Sequence, residues 1–257
     1  MSFFKKMLAS VGVGAAKVNT ELHTTEVMPG GTLSGMVYIE GGDVEQQVDR
    51  IYLLLKTHYI RESNDRKVQE TAVVAKYVLT DGFVLQPGAK LEKSFQFDLP
   101  HNLPITLRRA EVWVETGLDI SSAVDPSDRD RLHVVPSREM KIVLDAIDLL
   151  GFKLREVTND YAPRLGGNLP FVQEFEFVPT SKFRGYLDEL EVLFYPMGDS
   201  LELLLQIDRR ARGLGGMLSE AMGTDETYVR LQLHERHLER GVRSVAQGLE
   251  EVISEHI

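Results

Sequence analysis

The sequence predicts an all-β chain: two antiparallel β-sandwiches in tandem, closed by a C-terminal amphipathic helix. Three observations predict it. Apolar and polar residues alternate with period two over many short stretches. Gly, Pro, Asn and Asp punctuate those stretches at turn positions. Helical spacing appears only once in the middle of the chain and again at its tail. The 257 residues, 43% of them hydrophobic, suffice for two domains of roughly 100–150 residues each.

Lys17 to Val27 alternates loosely through Val18, Leu22 and Val27, and Pro29-Gly30-Gly31 turns the chain. Leu33 to Ile39 follows as a strand, ended by Gly41-Gly42. Val48 to Ile60 is long, β-branched and tyrosine-rich, which favours strand over helix. Asn64-Asp65 turns it into Val68 to Leu79, and Asp81-Gly82 and Pro87-Gly88 mark the next connections. Leu91, Lys93, Phe95, Phe97 and Leu99 share one side of the next strand. Ala110 to Leu118 carries the only tryptophan, Trp113, and is expected to bury it with Phe95 and Phe97.

Val134-Val135-Pro136 reads as a domain boundary. Beyond it, Ile142, Ala146, Ile147 and Leu150 fall at helical spacing, so Met140 to Leu150 is a short helix. Strands resume at Phe152 to Val157, Phe171 to Val178, Tyr186 to Tyr195 and Leu201 to Ile207. Val229, Leu231 and Leu233 alternate in a last strand. The predicted domains are therefore 1–135, one sandwich; 136–225, a second; and 226–257, the last strand and the helix. The tail stripe Leu238, Val242, Val245, Leu249 and Val252 steps by four, three, four and three. Arg236, Arg240 and Arg243 fill the first half of that helix and Glu250, Glu251 and Glu255 the second, against the helix dipole. Two copies packed antiparallel would match the halves, so a homodimer through the stripe is expected, with burial in the same chain as the blander reading.

Charge and composition narrow the function. A net charge of −10 argues against nucleic acid as a partner. The chain has no cysteine, as befits a reducing compartment. Lys5 and Lys6 before Met7 to Ala16 mimic an export signal, but Gly12 and Gly14 break the apolar stretch. No run of about 18 apolar residues exists to span a membrane. A cytoplasmic location is the expectation.

Chemical motifs are sparse. His234 and His237 stand three apart, one short of the zincin spacing, and no third ligand is evident. Asp125, Asp128 and Asp130 cluster in what reads as a loop, without EF-hand spacing and with Arg129 and Arg131 between them. That loop reads as self-neutralised. Its acids are expected to pair with Arg129, Arg131 or the cluster Arg209, Arg210 and Arg212, forming an interdomain latch or a partner-binding patch. Gly213, Gly215 and Gly216 follow that cluster without a P-loop lysine, and Gly12-Val13-Gly14 completes no dinucleotide fingerprint. No Gly-x-Ser-x-Gly elbow is present. No catalytic residue, cofactor or metal is assigned.

Several stretches resemble known proteins. Val27 to Gly35 and Phe95 to Pro100 resemble the early strands of arrestin domains. Val112 to Ile120, Ala123 to Pro126, Asp128 to Asp130, Asp148 to Val157 and Asp208 to Gly216 resemble the bacterial sporulation-control protein M family, over nearly the entire chain. The resemblance implies two arrestin-like sandwiches and a non-catalytic cytoplasmic regulator that binds other proteins, in sporulation or a related bacterial process. Two other readings stand beside it. One is a metal- or phosphate-dependent enzyme using Asp125 to Arg131 with Arg209 to Arg212. The other is a peripheral membrane adaptor anchored by Phe3, Phe4, Lys5 and Lys6.

Overall fold

The structure is a computed structural model and describes residues 15–63, 66–121, 124–209 and 226–257. It is predominantly β-sheet and ends in a helix, as the alternation predicts. Two compact units divide it. The first comprises the chain up to His58, Glu70–Thr106 and Glu111–Val135; the second comprises Tyr59–Gln69, Leu107–Ala110 and Pro136–Ile257.

The first unit holds two sheets. One is antiparallel, in the order β1 (Lys17–Leu22), β3 (Thr32–Glu40) and β7 (Lys90–Asp98). The other runs from β4 (Gln46–Ser63) through β8 (Val112–Ile120) and β9 (Ser127–Val134) to the short β2 (Glu26–Val27). β5 (Arg66–Thr80) and β6 (Phe83–Leu85) pair with β4. Leu33, Val37, Ile39 and Phe95 of the small sheet are buried, as are Ile51, Leu53, Leu55, Val112, Val114 and Leu118 of the large one. Burying this apolar surface is the main force holding the layers together. Gly30 makes the Pro29-Gly30-Gly31 turn possible with φ 73°, where a side chain would strain the backbone. Gly35 allows a close approach: a Cβ there would lie 2.5 Å from the carbonyl oxygen of Glu21 and 2.8 Å from the Phe95 ring. Phe97 is only half-buried and stacks on Tyr77, with ring centroids 4.2 Å apart.

The second unit is built differently. Its strands β10 (Phe152–Tyr161), β11 (Phe171–Pro179), β12 (Leu187–Met197), β13 (Ser200–Arg209) and β14 (Glu226–His234) form one antiparallel sheet in chain order. The tip of β4 joins it, with Ile60 beside Asp160 in parallel. Tyr59 stacks on Tyr161 and Phe171 at centroid distances of 6.2 and 5.8 Å, and Arg61 lies over Tyr161 at 4.5 Å. Arg108, at the unusual φ of 57°, donates to the carbonyl of Leu154 at 3.1 Å, and Arg109 pairs with Glu156 at 3.3 Å. These contacts explain why two short segments from the N-terminal half belong to this unit.

No second sheet is found in this unit among the described residues. A second sandwich is not shown here: the described strands of this unit form one sheet, and its other described elements are helices. Helix α1 (Arg138–Leu149) starts at Ser137, whose hydroxyl accepts the Met140 N–H at 3.3 Å, an N-cap of the usual kind. It packs against β10 and against α3 (Val242–Glu255). Val143, Ala146 and Ile147 of α1 are buried, with Val245, Ala246, Leu249 and Ile253 of α3. The alternate residues Leu201, Leu203, Leu205 and Ile207 of β13 are buried too. The tail helix is also interrupted. Gly241, at φ 81°, separates α3 from the short α2 (Glu235–Leu238), so Leu238 belongs to a different segment from the rest of its predicted stripe.

Candidate functional site

The residues Asp125 to Arg131 are not one loop. Ser127 onward is strand β9, paired with β8 from Gly117↔Ser127 to Val112↔Leu132. A strand sends successive side chains to opposite faces. Asp128, Asp130, Leu132 and Val134 therefore turn inward, while Arg129, Arg131 and His133 turn outward. The expected pairing of these aspartates with Arg129 and Arg131 fails for that reason.

Asp125 and Asp128 find other partners. Asp125 accepts the Ile120 N–H at 2.9 Å and so closes the β8–β9 connection. Asp128 accepts the Thr20 N–H of β1 at 2.7 Å and the Arg129 N–H at 2.9 Å. Beside it, the hydroxyls of Thr20 and Thr116 bond at 2.6 Å. Burial pushes the Asp130 carboxyl up to about 6, and the neighbouring Asp128 adds to the effect. One of its oxygens is buried with no hydrogen-bond partner.

The outward face of β4, β8 and β9 carries the charged side chains. Arg129 lies over the Trp113 ring at 3.9 Å, and His58 tilts against the same ring with centroids 4.6 Å apart. Trp113 is 3% exposed, so the sequence located its burial but not its face. Glu111 draws both arginines, at 3.9 Å from Arg129 and 3.8 Å from Arg131. Lys56 pairs with Glu115 at 2.6 Å and Arg50 with Asp119 at 3.2 Å. Tyr52 covers Gly117 so closely that a Cβ there would sit 2.4 Å from its ring. Burial raises the Tyr52 phenol, and Asp125, Glu115 and Asp119 raise it further. The face is thus a floor of paired strands with exposed charges on it: Arg131 is 79% exposed and Arg129 47%. Reading β8 and β9 together with period two would have found Glu111 and Trp113, and adding β4 would have found His58; reading the Asp-Arg run alone could not.

Of the remaining candidates, Arg210 and Arg212 lie outside the described residues, as do Phe3, Phe4, Lys5 and Lys6 and the side chain of Arg209. Among the described residues no group of three or more His, Asp or Glu could hold a metal ion, and no helix is long and apolar enough to cross a membrane. His237 Nδ1 accepts the His234 N–H at 3.2 Å, which ties the two histidines into the start of α2. The stripe reserved for a dimer is covered within the chain. Leu238, Val245 and Leu249 are buried, Val242 and Val252 are half-buried, and the buried face continues through Ala246 and Ile253. The stripe therefore needs no second copy to be buried, which leaves the matching of the Arg-rich and Glu-rich halves as the argument for a dimer. In the second unit, burial pushes Glu174 up to about 7, helped by Asp160 and Glu189 and opposed by Lys67.

Comparison with known proteins gives a consistent answer. Residues 4–211 match the SpoOM protein family. The sporulation-control protein spo0M of Bacillus subtilis (strain 168) is 42% identical over 257 residues, covering 100% of this chain and 99% of that protein. The crystal structure of Spo0M from Bacillus subtilis superposes with a TM-score of 0.86 at 40% identity, covering 95% of this chain and 100% of that one.

Proposed function

The chain belongs to the SpoOM protein family, and we propose that it is a non-catalytic regulator that controls sporulation or a related process by docking another protein. The observation that carries the docking claim is the outward face around Trp113. Arg129, Arg131, Glu111, Arg50 and Asp119 stand exposed on a strand floor fixed by a buried tryptophan. Exposed charges on a preorganised floor steer a partner and set its register. Arginine beside tryptophan is also the composition that interface hot spots favour. The name of the relative supports the process, and the face supports the mode of action.

The test is complementation. A Bacillus subtilis strain lacking its own sporulation-control protein receives this chain, either wild type or Arg129→Glu/Arg131→Glu, and spore frequency is counted. Rescue by the wild type and its loss in the folded double variant are expected. Equal rescue by both would remove the face from the function. Failure of the wild type would remove the process.

A further inference from the structure

Strand β1 lies at the edge of its three-stranded sheet and pairs only with β3 among the described strands. An edge strand presents a row of backbone groups with no strand to receive them. Here a side chain receives one of them, and another receives the N–H just ahead of the strand. Gln46 Oε1 accepts the Ala16 N–H at 3.0 Å, and Asp128 accepts the Thr20 N–H at 2.7 Å. The Thr20 hydroxyl adds its bond to Thr116 at 2.6 Å. β1 is thus clasped to β8 and β9 by individual side chains.

One residue beside this clasp lacks a partner. Asp130 stands two residues from Asp128 on the same inward face, about 7 Å along the strand. It sits opposite Val114, with one carboxyl oxygen buried and without a donor. The inward residues of β1 are Val18, Thr20 and Leu22, and those of β8 are Val112, Val114, Thr116, Leu118 and Ile120, all uncharged. The lysine and glutamate of β1, Lys17 and Glu21, are exposed on its other side. The charge that faces Asp130 is Asp128.

We propose that Asp128 and Asp130 make β1 a pH-sensitive clasp, seated while Asp130 holds a proton and loosened when Asp130 ionises. A neutral carboxyl is tolerated beside Asp128 without a donor. A carboxylate there needs hydrogen-bond donors, and water supplies them once β1 lifts. Ionised Asp130 also repels Asp128, the residue that holds the Thr20 N–H. The sign follows from the raised folded value, about 6 against 3.8 when exposed. The seated state binds the extra proton, so seating is favoured at low pH, is lost progressively as pH rises from about 3.8 through 6, and changes little above that. Between pH 5 and pH 8 those two values correspond to an increase in β1 opening of about tenfold.

Amide hydrogen exchange on the full chain reads this directly, after correction for the intrinsic pH dependence of exchange. The Thr20 amide should open about tenfold more readily at pH 8 than at pH 5, while that of Val37, its partner on β3, changes little. Asp130→Asn should abolish the difference. Equal opening of β1 at the two pH values, or a pH effect that persists in Asp130→Asn, would overturn the proposal. Should the variant not fold, carbon NMR titration of Asp130 in the wild type decides instead. A midpoint near 6 supports the clasp, and one at the ordinary aspartate value sinks it.

Discussion

In the first unit the buried face of one sheet meets the buried face of another; in the second, a five-stranded sheet is accompanied by helices α1 and α3, which pack on each other and, through α1, on β10. Both units present strands of alternating polarity, and both need a cover for the apolar side. The first takes its cover from strands β1, β3 and β7. The second takes it from helices, one of which is the chain's last, and it also borrows the hairpin tip Tyr59–Gln69. The difference teaches that alternation marks which face is buried and leaves open what buries it.

The contrast can be broken most severely at α3. Leu249 is fully buried, and Leu249→Ala should cost about 2–5 kcal/mol through lost burial and the cavity left behind. Because Trp113 belongs to the first unit, its fluorescence reports that unit, while the helical far-UV band reports the second. The helical transition should move far more than the tryptophan transition; equal shifts would mean that α3 does not cover the second unit's sheet alone.

The borrowed hairpin tip gives the next effect. Tyr59→Ala removes a buried ring stacked on Tyr161 and Phe171 and should cost about 3 kcal/mol, again read in the helical band. A loss confined to tryptophan fluorescence would return residues 59–69 to the first unit. A smaller cost is expected at Gly117→Ala, about 1–3 kcal/mol, because the new Cβ collides with Tyr52. Shortening the ring with Tyr52→Ala in the same chain should shrink the Gly117→Ala penalty; strict additivity of the two changes would refute the contact.

Glu174 sharpens the comparison by pH. Its folded value, about 7 against 4.5, means that the folded second unit holds a proton the unfolded chain gives up. Stability should therefore fall as pH rises from about 4.5 to 7, by about 1–2 kcal/mol after allowance for its partial exposure. Glu174→Gln should flatten that fall in chemical denaturation curves followed by the helical band. An unchanged pH profile would show that the carboxyl is solvated.

Much of this fold was legible. The strand from Val48 to Ile60 and the helix beginning near Met140 follow from β-branching and helical spacing. Strand β9 was not legible, because Asp128, Arg129, Asp130 and Arg131 offer no apolar alternation; its identity comes from pairing with β8, a long-range fact. The same blindness misassigned the site. Charges adjacent in sequence are neutralised together in a loop and separated in a strand, so the arginines went to Glu111, while Asp128 went to β1 and Asp125 to the end of β8. The break at Gly241 escaped notice because the apolar spacing runs on through it. As for the tail stripe, its amphipathicity required a cover, and nothing local could say that α1 supplies it.

The most direct measurement is residue-resolved hydrogen exchange of the whole chain at two protein concentrations. The account predicts that the amides of Val245, Leu249 and Ile253 are as protected as those of Leu203 and Leu205, and equally so on dilution. Rapid exchange of α3, or protection that disappears as the protein is diluted, would show that the helix finds its cover on a second copy and would contradict a second unit roofed by its own helices.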